Sequence, residues 1–260
     1  MIGHQDRYAL ITGASSGIGY ELAKLFAKDG KNLIIVARSK NGLEQVKTEI
    51  ENEYGTRVKV LPKDLFDPQA PLAIFSEVEK EAIDVDVLVN NAGFSVYGVF
   101  SETDLQKELE MIQLHISSLT HLAKLFLRRM LENKSGRILN VASSLAFLPV
   151  PLLSVYSASK SYILHFSEAL ANELQGTGVS VTCLCPPPTE TPFYKRENME
   201  NSKTAKGKLM DATTVAEVGY KALKRGKVTA TPGLMKGKSL VILARIAPRN
   251  ALTKMMRSMV

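Results

Sequence analysis

A chain of 260 residues is the size of one ordinary α/β domain and is long enough to bury a substantial core. Its hydrophobic fraction of 45% excludes wholesale disorder. No apolar run nears the ~20 residues that span a bilayer, and the longest, Ser239 to Ala247, is interrupted by Arg245. The net charge of +7 is local: residues 195–260 carry 15 Lys/Arg against 4 Asp/Glu, and no acidic residue follows Glu217.

The opening residues, MIGHQDRYAL, show no basic stretch followed by an apolar one, so no secretory signal is expected. β-branched runs predict strands at Tyr8–Ile11, Asn32–Ala37, Val58–Leu61, Val85–Val89, Arg137–Val141, Val179–Leu184 and Val228–Ala230. Helical patterns fill 18–29, 41–54, 68–80, 103–132, 155–175 and 213–225. This alternation predicts a doubly wound parallel sheet of about seven strands, with helices on both faces, in a single domain. Ligands then bind beyond the carboxyl ends of the strands. Leu105, Leu109, Ile112, Ile116, Leu119 and Ala123 form a stripe along the long helix, read as core or as a helix-on-helix subunit contact. The two cysteines, Cys183 and Cys185, stand at strand spacing and read as reduced, buried thiols. They suggest a cytoplasmic, reducing setting.

The first strand runs into Thr12-Gly13-Ala14-Ser15-Ser16-Gly17-Ile18-Gly19 and then a helical pattern. Glycines permit a tight turn and close backbone approach, while a helix N-terminus offers N–H groups to a pyrophosphate. Asn90-Asn91-Ala92-Gly93 follows the fourth strand, and Tyr156-x-x-x-Lys160 lies beyond the fifth. Together, from about residue 7 to 194, these motifs resemble the classical short-chain dehydrogenase/reductase (SDR) family. The resemblance implies a Rossmann-like fold and hydride transfer between a nicotinamide and a carbonyl or alcohol.

The second strand ends Val36-Ala37-Arg38-Ser39, with Arg38 where an NAD-binding chain carries an acidic residue. A guanidinium suits a 2′-phosphate, so NADP(H) is the expected cofactor. The resemblance further implies cofactor contacts from Gly13, Ser15, Ser16, Gly17, Ile18, Gly19, Asp64, Leu65, Asn91, Ala92 and Gly93. Tyr156 is implied as general acid/base, and Lys160 as the group that lowers its pKa and holds the nicotinamide ribose. Bringing a phenol from about 10 to neutrality requires about 4 kcal/mol of differential stabilisation. Ser143, thirteen residues before Tyr156, matches the hydroxyl that binds the substrate oxygen, with Ser144 adjacent.

Two positions depart from the family pattern. The fourth catalytic residue is usually an Asn that holds a water, but here the stretch reads Leu114-His115-Ile116. His115 either holds such a water through one accepted and one donated bond or fills the helix bend. After the sixth strand, Pro186-Pro187-Pro188-Thr189-Glu190-Thr191 resembles the segment that brackets the nicotinamide, with Pro187 in place of Gly. Pro186, Thr189 and Thr191 stay candidate contacts.

Phe94 to Tyr97, Leu145 to Leu153, and Phe193-Tyr194 border the expected substrate position, are apolar and carry no carboxylate clamp. They suggest a lipophilic ketone or secondary alcohol. A 3-oxoacyl thioester (ACP or CoA) is the alternative, favoured if the basic stretch 195–208 grips a phosphopantetheine arm. A catalytically impaired nucleotide-binding scaffold is the third reading, and it rests on His115 alone. Residues 190–212 read as a substrate lid and 233–260 as a basic helical extension. In that extension Leu252, Met255, Met256 and Met259 share a face. The extension is expected to pack on its own domain or a neighbouring subunit, in preference to lying on a membrane. No metal and no nucleic-acid partner are expected, and a homodimer or homotetramer is.

Overall fold

The structure, a computed structural model, describes residues 7–193, 207–233 and 248–259. Its first strand, β1 (Arg7–Thr12), is covered on both faces: Ala9 and Ile11 enter one apolar layer and Leu10 the other. Side chains alternate with period two along a strand, and double coverage belongs to parallel sheets. In β2 (Asn32–Ala37), Leu33 and Ile35 face the first layer while Ile34 and Val36 face the second.

With β3 (Val58–Pro62), β4 (Asp84–Asn90), β5 (Gly136–Val141) and β6 (Val179–Leu184), the main sheet is parallel throughout. Two short strands, β7 (Thr189–Glu190) and β8 (Met210–Asp211), pair separately. The seventh strand of the main sheet, β9 (Thr229–Ala230), completes the order β3-β2-β1-β4-β5-β6-β9. The order reverses direction between β1 and β4, which opens a crevice at their carboxyl ends.

Helices α1 (Gly17–Lys28) and α2 (Lys40–Tyr54) send Leu22, Phe26, Leu43 and Ile50 into the first layer. Helix α3 (Ala70–Lys80) sends Ile74 and Val78 into the second. The long helix is not one regular rod. It divides into α4 (Leu105–Ile112), a π-helical turn at Gln113–Ser118, and α5 (Leu119–Glu132). A π turn inserts a residue and rotates the next helical segment about the axis. Leu119 and Ala123 are consequently buried, while Leu105, Leu109 and Ile112 are 69%, 49% and 37% exposed. The expected continuous core stripe is therefore corrected: its first half faces outward.

Helix α6 (Ser154–Glu173) carries Ile163, Leu164 and Leu170 inward, and α7 (Ala212–Lys224) carries Val215 and Leu223. Asp211 caps α7 by accepting the Thr214 N–H at 2.7 Å. The pairing of β7 with β8 ties together the two ends of the expected lid, whose residues 194–206 lie outside the described residues. The last helix, α8 (Arg249–Met259), buries Leu252 and Met256 against Leu148, Val150 and Leu153. Its apolar face thus packs on its own domain. Residues 234–247, with the apolar run Ser239 to Ala247, lie outside the described residues. No helix among the described residues is long and apolar enough to cross a membrane.

Candidate active site

The turn after β1 is built by backbone conformation. Gly13 and Gly17 adopt φ of +67° and +59°, a region that L side chains rarely enter. Ser16 occupies the N-cap of α1 with extended backbone and gives no side-chain bond to the first turn. The amides of that turn are left for something else. Thr12 fastens this loop to the end of β4: its hydroxyl accepts the N–H groups of Asn91 and Ala92, each at 3.0 Å. The Asn91 amide donates back to the Thr12 and Gly13 carbonyls at 2.9 and 3.2 Å.

These segments open on one cleft of about 630 Å³ at the carboxyl ends of β1, β2, β4, β5 and β6. Gly13, Ser15, Ser16, Gly17, Ile18, Arg38, Asp64, Leu65, Asn91, Ala92 and Gly93 line it, as do Pro186, Thr189 and Thr191. Gly19 does not. A Cβ there would overlap the Asn91 amide and the Gly13 carbonyl, so this glycine permits close packing beneath the loop. Across the cleft, a Cβ on Gly17 would stand 2.9 Å from Thr191 Cγ2, so the two walls meet. The Thr189 hydroxyl donates to the Pro187 carbonyl at 2.7 Å and is thereby held within its own loop.

Ser143, Tyr156 and Lys160 line the same cleft. Ser143 ends the extended stretch after β5, and its Oγ accepts the Leu145 N–H at 3.1 Å. A hydroxyl engaged in that way keeps its proton for another acceptor. Ser144 also faces the cleft, and its N–H donates to the Pro186 carbonyl at 2.8 Å. One turn of α6 separates Tyr156 from Lys160, placing Nζ 5.7 Å from the phenol ring centroid. Lys160 is buried and donates to the Val141 carbonyl at 3.1 Å. That burial pushes its pKa from 10.5 down to about 8. Beneath it, Cys183 and Cys185 are free, buried thiols with sulfurs 3.8 Å apart, neighbours on one strand face as their spacing predicts.

His115 lies in the π turn and does not line the cleft; it is 1% exposed. Its Nε2 accepts the Phe94 N–H at 3.2 Å, and its Nδ1 is 2.9 Å from Ser159 Oγ. Burial, reinforced by the Lys160 charge, holds its pKa well below the usual histidine range.

A family model described as short chain dehydrogenase matches residues 7–202. The chain belongs to the short-chain dehydrogenase family. It is 36% identical over 186 residues to a very-long-chain 3-oxoacyl-CoA reductase of Pyrenophora tritici-repentis, covering 70% of this chain and 54% of that one. It is 32% identical over 203 residues to a mouse 17-beta-hydroxysteroid dehydrogenase type 3, covering 76% and 65%. The chain therefore spans less than two-thirds of the length of those relatives. Among solved structures it resembles a short-chain dehydrogenase from Sphingobium yanoikuyae in complex with NADPH. The TM-score is 0.84 at 28% identity, with 92% and 94% of the two chains covered.

Two residues that line the cleft carry no signal in the motifs. Phe66, two residues after Asp64, lies under the Arg38 guanidinium with 5.0 Å between its ring centroid and Cζ. Met256 reaches the cleft from α8. The amphipathic spacing of the tail marks its apolar face, but nothing local says what that face covers. Tyr194 and most of the basic stretch 195–208 lie outside the described residues.

Proposed function

We propose that this chain is an NADP(H)-dependent oxidoreductase acting on a lipophilic ketone or secondary alcohol. One observation carries the reading: a single cleft joins a glycine cradle and helix N-terminus at one end to Ser143, Tyr156 and Lys160 at the other. The residues fit a dinucleotide. A Cβ at Gly13 would come within 2.9 Å of the Ala92 backbone, the close packing that keeps the cradle open to a pyrophosphate. Arg38, exposed and stacked on Phe66, offers its fork to a 2′-phosphate. Thr191 faces Gly17 across the cleft, which supports a contact on the diphosphate side.

When bound, the nicotinamide supplies the hydride. Ser143, one of its lone pairs occupied by the Leu145 N–H, donates a hydrogen bond to the substrate oxygen and keeps its proton. Tyr156 gives its phenolic proton to that oxygen during reduction and takes one back during oxidation. The neighbouring Lys160 ammonium stabilises the phenolate that this leaves behind. Leu145, Leu153, Phe193 and Met256 line the cleft as well, which suits an apolar substrate body. The relative from Pyrenophora supports a second reading in which the carbonyl belongs to a 3-oxoacyl thioester. The exposed Leu105, Leu109 and Ile112 support a homo-oligomer, with a second copy covering α4.

The test is a screen of lipophilic ketones, secondary alcohols and 3-oxoacyl thioesters with NADPH and NADH, followed at the near-ultraviolet band of the reduced nicotinamide. Turnover should occur with NADPH, and Tyr156→Phe should lower kcat about 10²- to 10⁴-fold while NADPH affinity is kept. Equal rates for wild type and Tyr156→Phe would end the catalytic assignment. Turnover of none of these compounds would favour a scaffold.

A further inference from the structure

The π turn at Gln113–Ser118 places an imidazole between the loop after β4 and the helix that carries Tyr156. The hydrogen bonds around it leave one protonation state. Ser159 Oγ donates its only proton to the Tyr156 carbonyl at 2.8 Å, so toward His115 it acts as acceptor. Nδ1, 2.9 Å away, is therefore the protonated nitrogen. Nε2 must present a lone pair, because the Phe94 N–H points at it from 3.2 Å. An imidazolium would set two N–H groups against each other at that contact. Lys160, whose Nζ would lie 3.3 Å from a Cβ on Gly93, adds a repelling charge on the same side. Neither nitrogen has capacity left to hold a water, and a neutral, enclosed ring does not shuttle protons.

We infer that His115 is a positioning residue. The unbroken series Phe94 N–H, His115, Ser159, Tyr156 C=O ties the β4 loop to the helical turn bearing Tyr156 and Lys160. The ring also fills the space between the aromatic groups of Phe94 and Tyr156, with centroid separations of 6.2 and 5.9 Å. Proton resupply to Tyr156 does not pass through the His115 side chain. Misplacement of a reacting group by about 1 Å can cost about a hundredfold in rate, which is the scale on which such a tie acts. The kinetic consequences rest on the oxidoreductase reading; the tautomer does not.

The experiment therefore has a spectroscopic and a kinetic arm. In protein carrying ¹⁵N-histidine, the signals lost in His115→Phe identify this ring among four histidines. They should report a protonated Nδ1 and a bare Nε2 at every pH from about 6 to 9. In the kinetic arm His115→Phe, which keeps a ring and loses both bonds, should lower kcat at least about tenfold. The pH profile should keep its shape. His115→Gln, which has one acceptor and one donor, should recover most of that loss. Titration of the ring in that window, or a neutral-pH limb of kcat that vanishes in both variants, would overturn the inference. So would wild-type kcat in a His115→Phe protein of lowered thermal stability. Should His115→Phe fail to fold, an altered pH profile in His115→Gln overturns it and an unaltered one supports it. If the wild type reduces no carbonyl, the oxidoreductase reading fails, and the spectroscopic arm still decides the tautomer.

Discussion

Gly93 faces the His115 ring so closely that an added methyl group would stand 2.9 Å from Nε2. Neither partner has room to yield, since the imidazole is enclosed and bonded at both nitrogens. Gly93→Ala should destabilise the protein by about 1–3 kcal/mol, the usual range for overpacking. It should also lower kcat by moving the β4 loop relative to Tyr156. Thermal melting and steady-state kinetics on the same preparation check this. An Ala variant with wild-type melting and wild-type kcat would mean that the loop has slack at this point.

Arg38 rests its guanidinium over Phe66, with Cζ 5.0 Å from the ring centroid, at the edge of the cleft. Hydrogen bonds to a charged group contribute about 1.5–3 kcal/mol each. Arg38→Asp should therefore weaken NADPH by about 10- to 100-fold and improve the relative use of NADH. Fluorescence titration with both dinucleotides measures the ratio. Equal affinity of the wild type for NADH and NADPH would remove the role given to Arg38.

Lys160 sets an alkaline limit. Its pKa is lowered by burial from 10.5 to about 8, so the folded protein loses this cation as pH rises through about 8. Below that point the ammonium is present beside Tyr156; above it the amine is neutral and no longer stabilises a phenolate. The rate of carbonyl reduction should therefore fall on the alkaline side of about pH 8. A kcat profile at saturating NADPH that stays level up to about pH 10, where an ordinary lysine would still be charged, would contradict this.

Met256 is 4% exposed in the cluster formed by Leu148, Val150, Leu153 and Leu252, with Tyr156 at its edge. Met256→Ala should cost about 2–5 kcal/mol and lower the melting temperature by several degrees. Because Met256 also lines the cleft, KM for bulky ketones should change more than KM for NADPH. A helix whose apolar face is already occupied should not carry the protein onto anionic liposomes. Cosedimentation that is lost on deleting residues 248–260, with unchanged melting, would show that α8 serves a membrane instead.

The sequence by itself determined the parts whose physics is local. Near-continuous β-branched apolar runs become doubly covered strands of a parallel sheet, and the turn after β1 needs its positive φ values at Gly13 and Gly17 regardless of what lies opposite. The four-residue spacing of Tyr156 and Lys160 puts them on one face of any helix. The tertiary structure alone decided the features that join distant segments. The π turn that exposes Leu105 and Leu109 follows from what the two ends of that helix must cover. The protonation state of His115 is set by Phe94 and Ser159, 21 and 44 residues away in the chain. The burial of Met256 beside Tyr156 joins residues about a hundred positions apart. Periodicity records that a side chain must be covered; which residue covers it, and which hydrogen bonds it then makes, depends on packing between elements that no local spacing encodes.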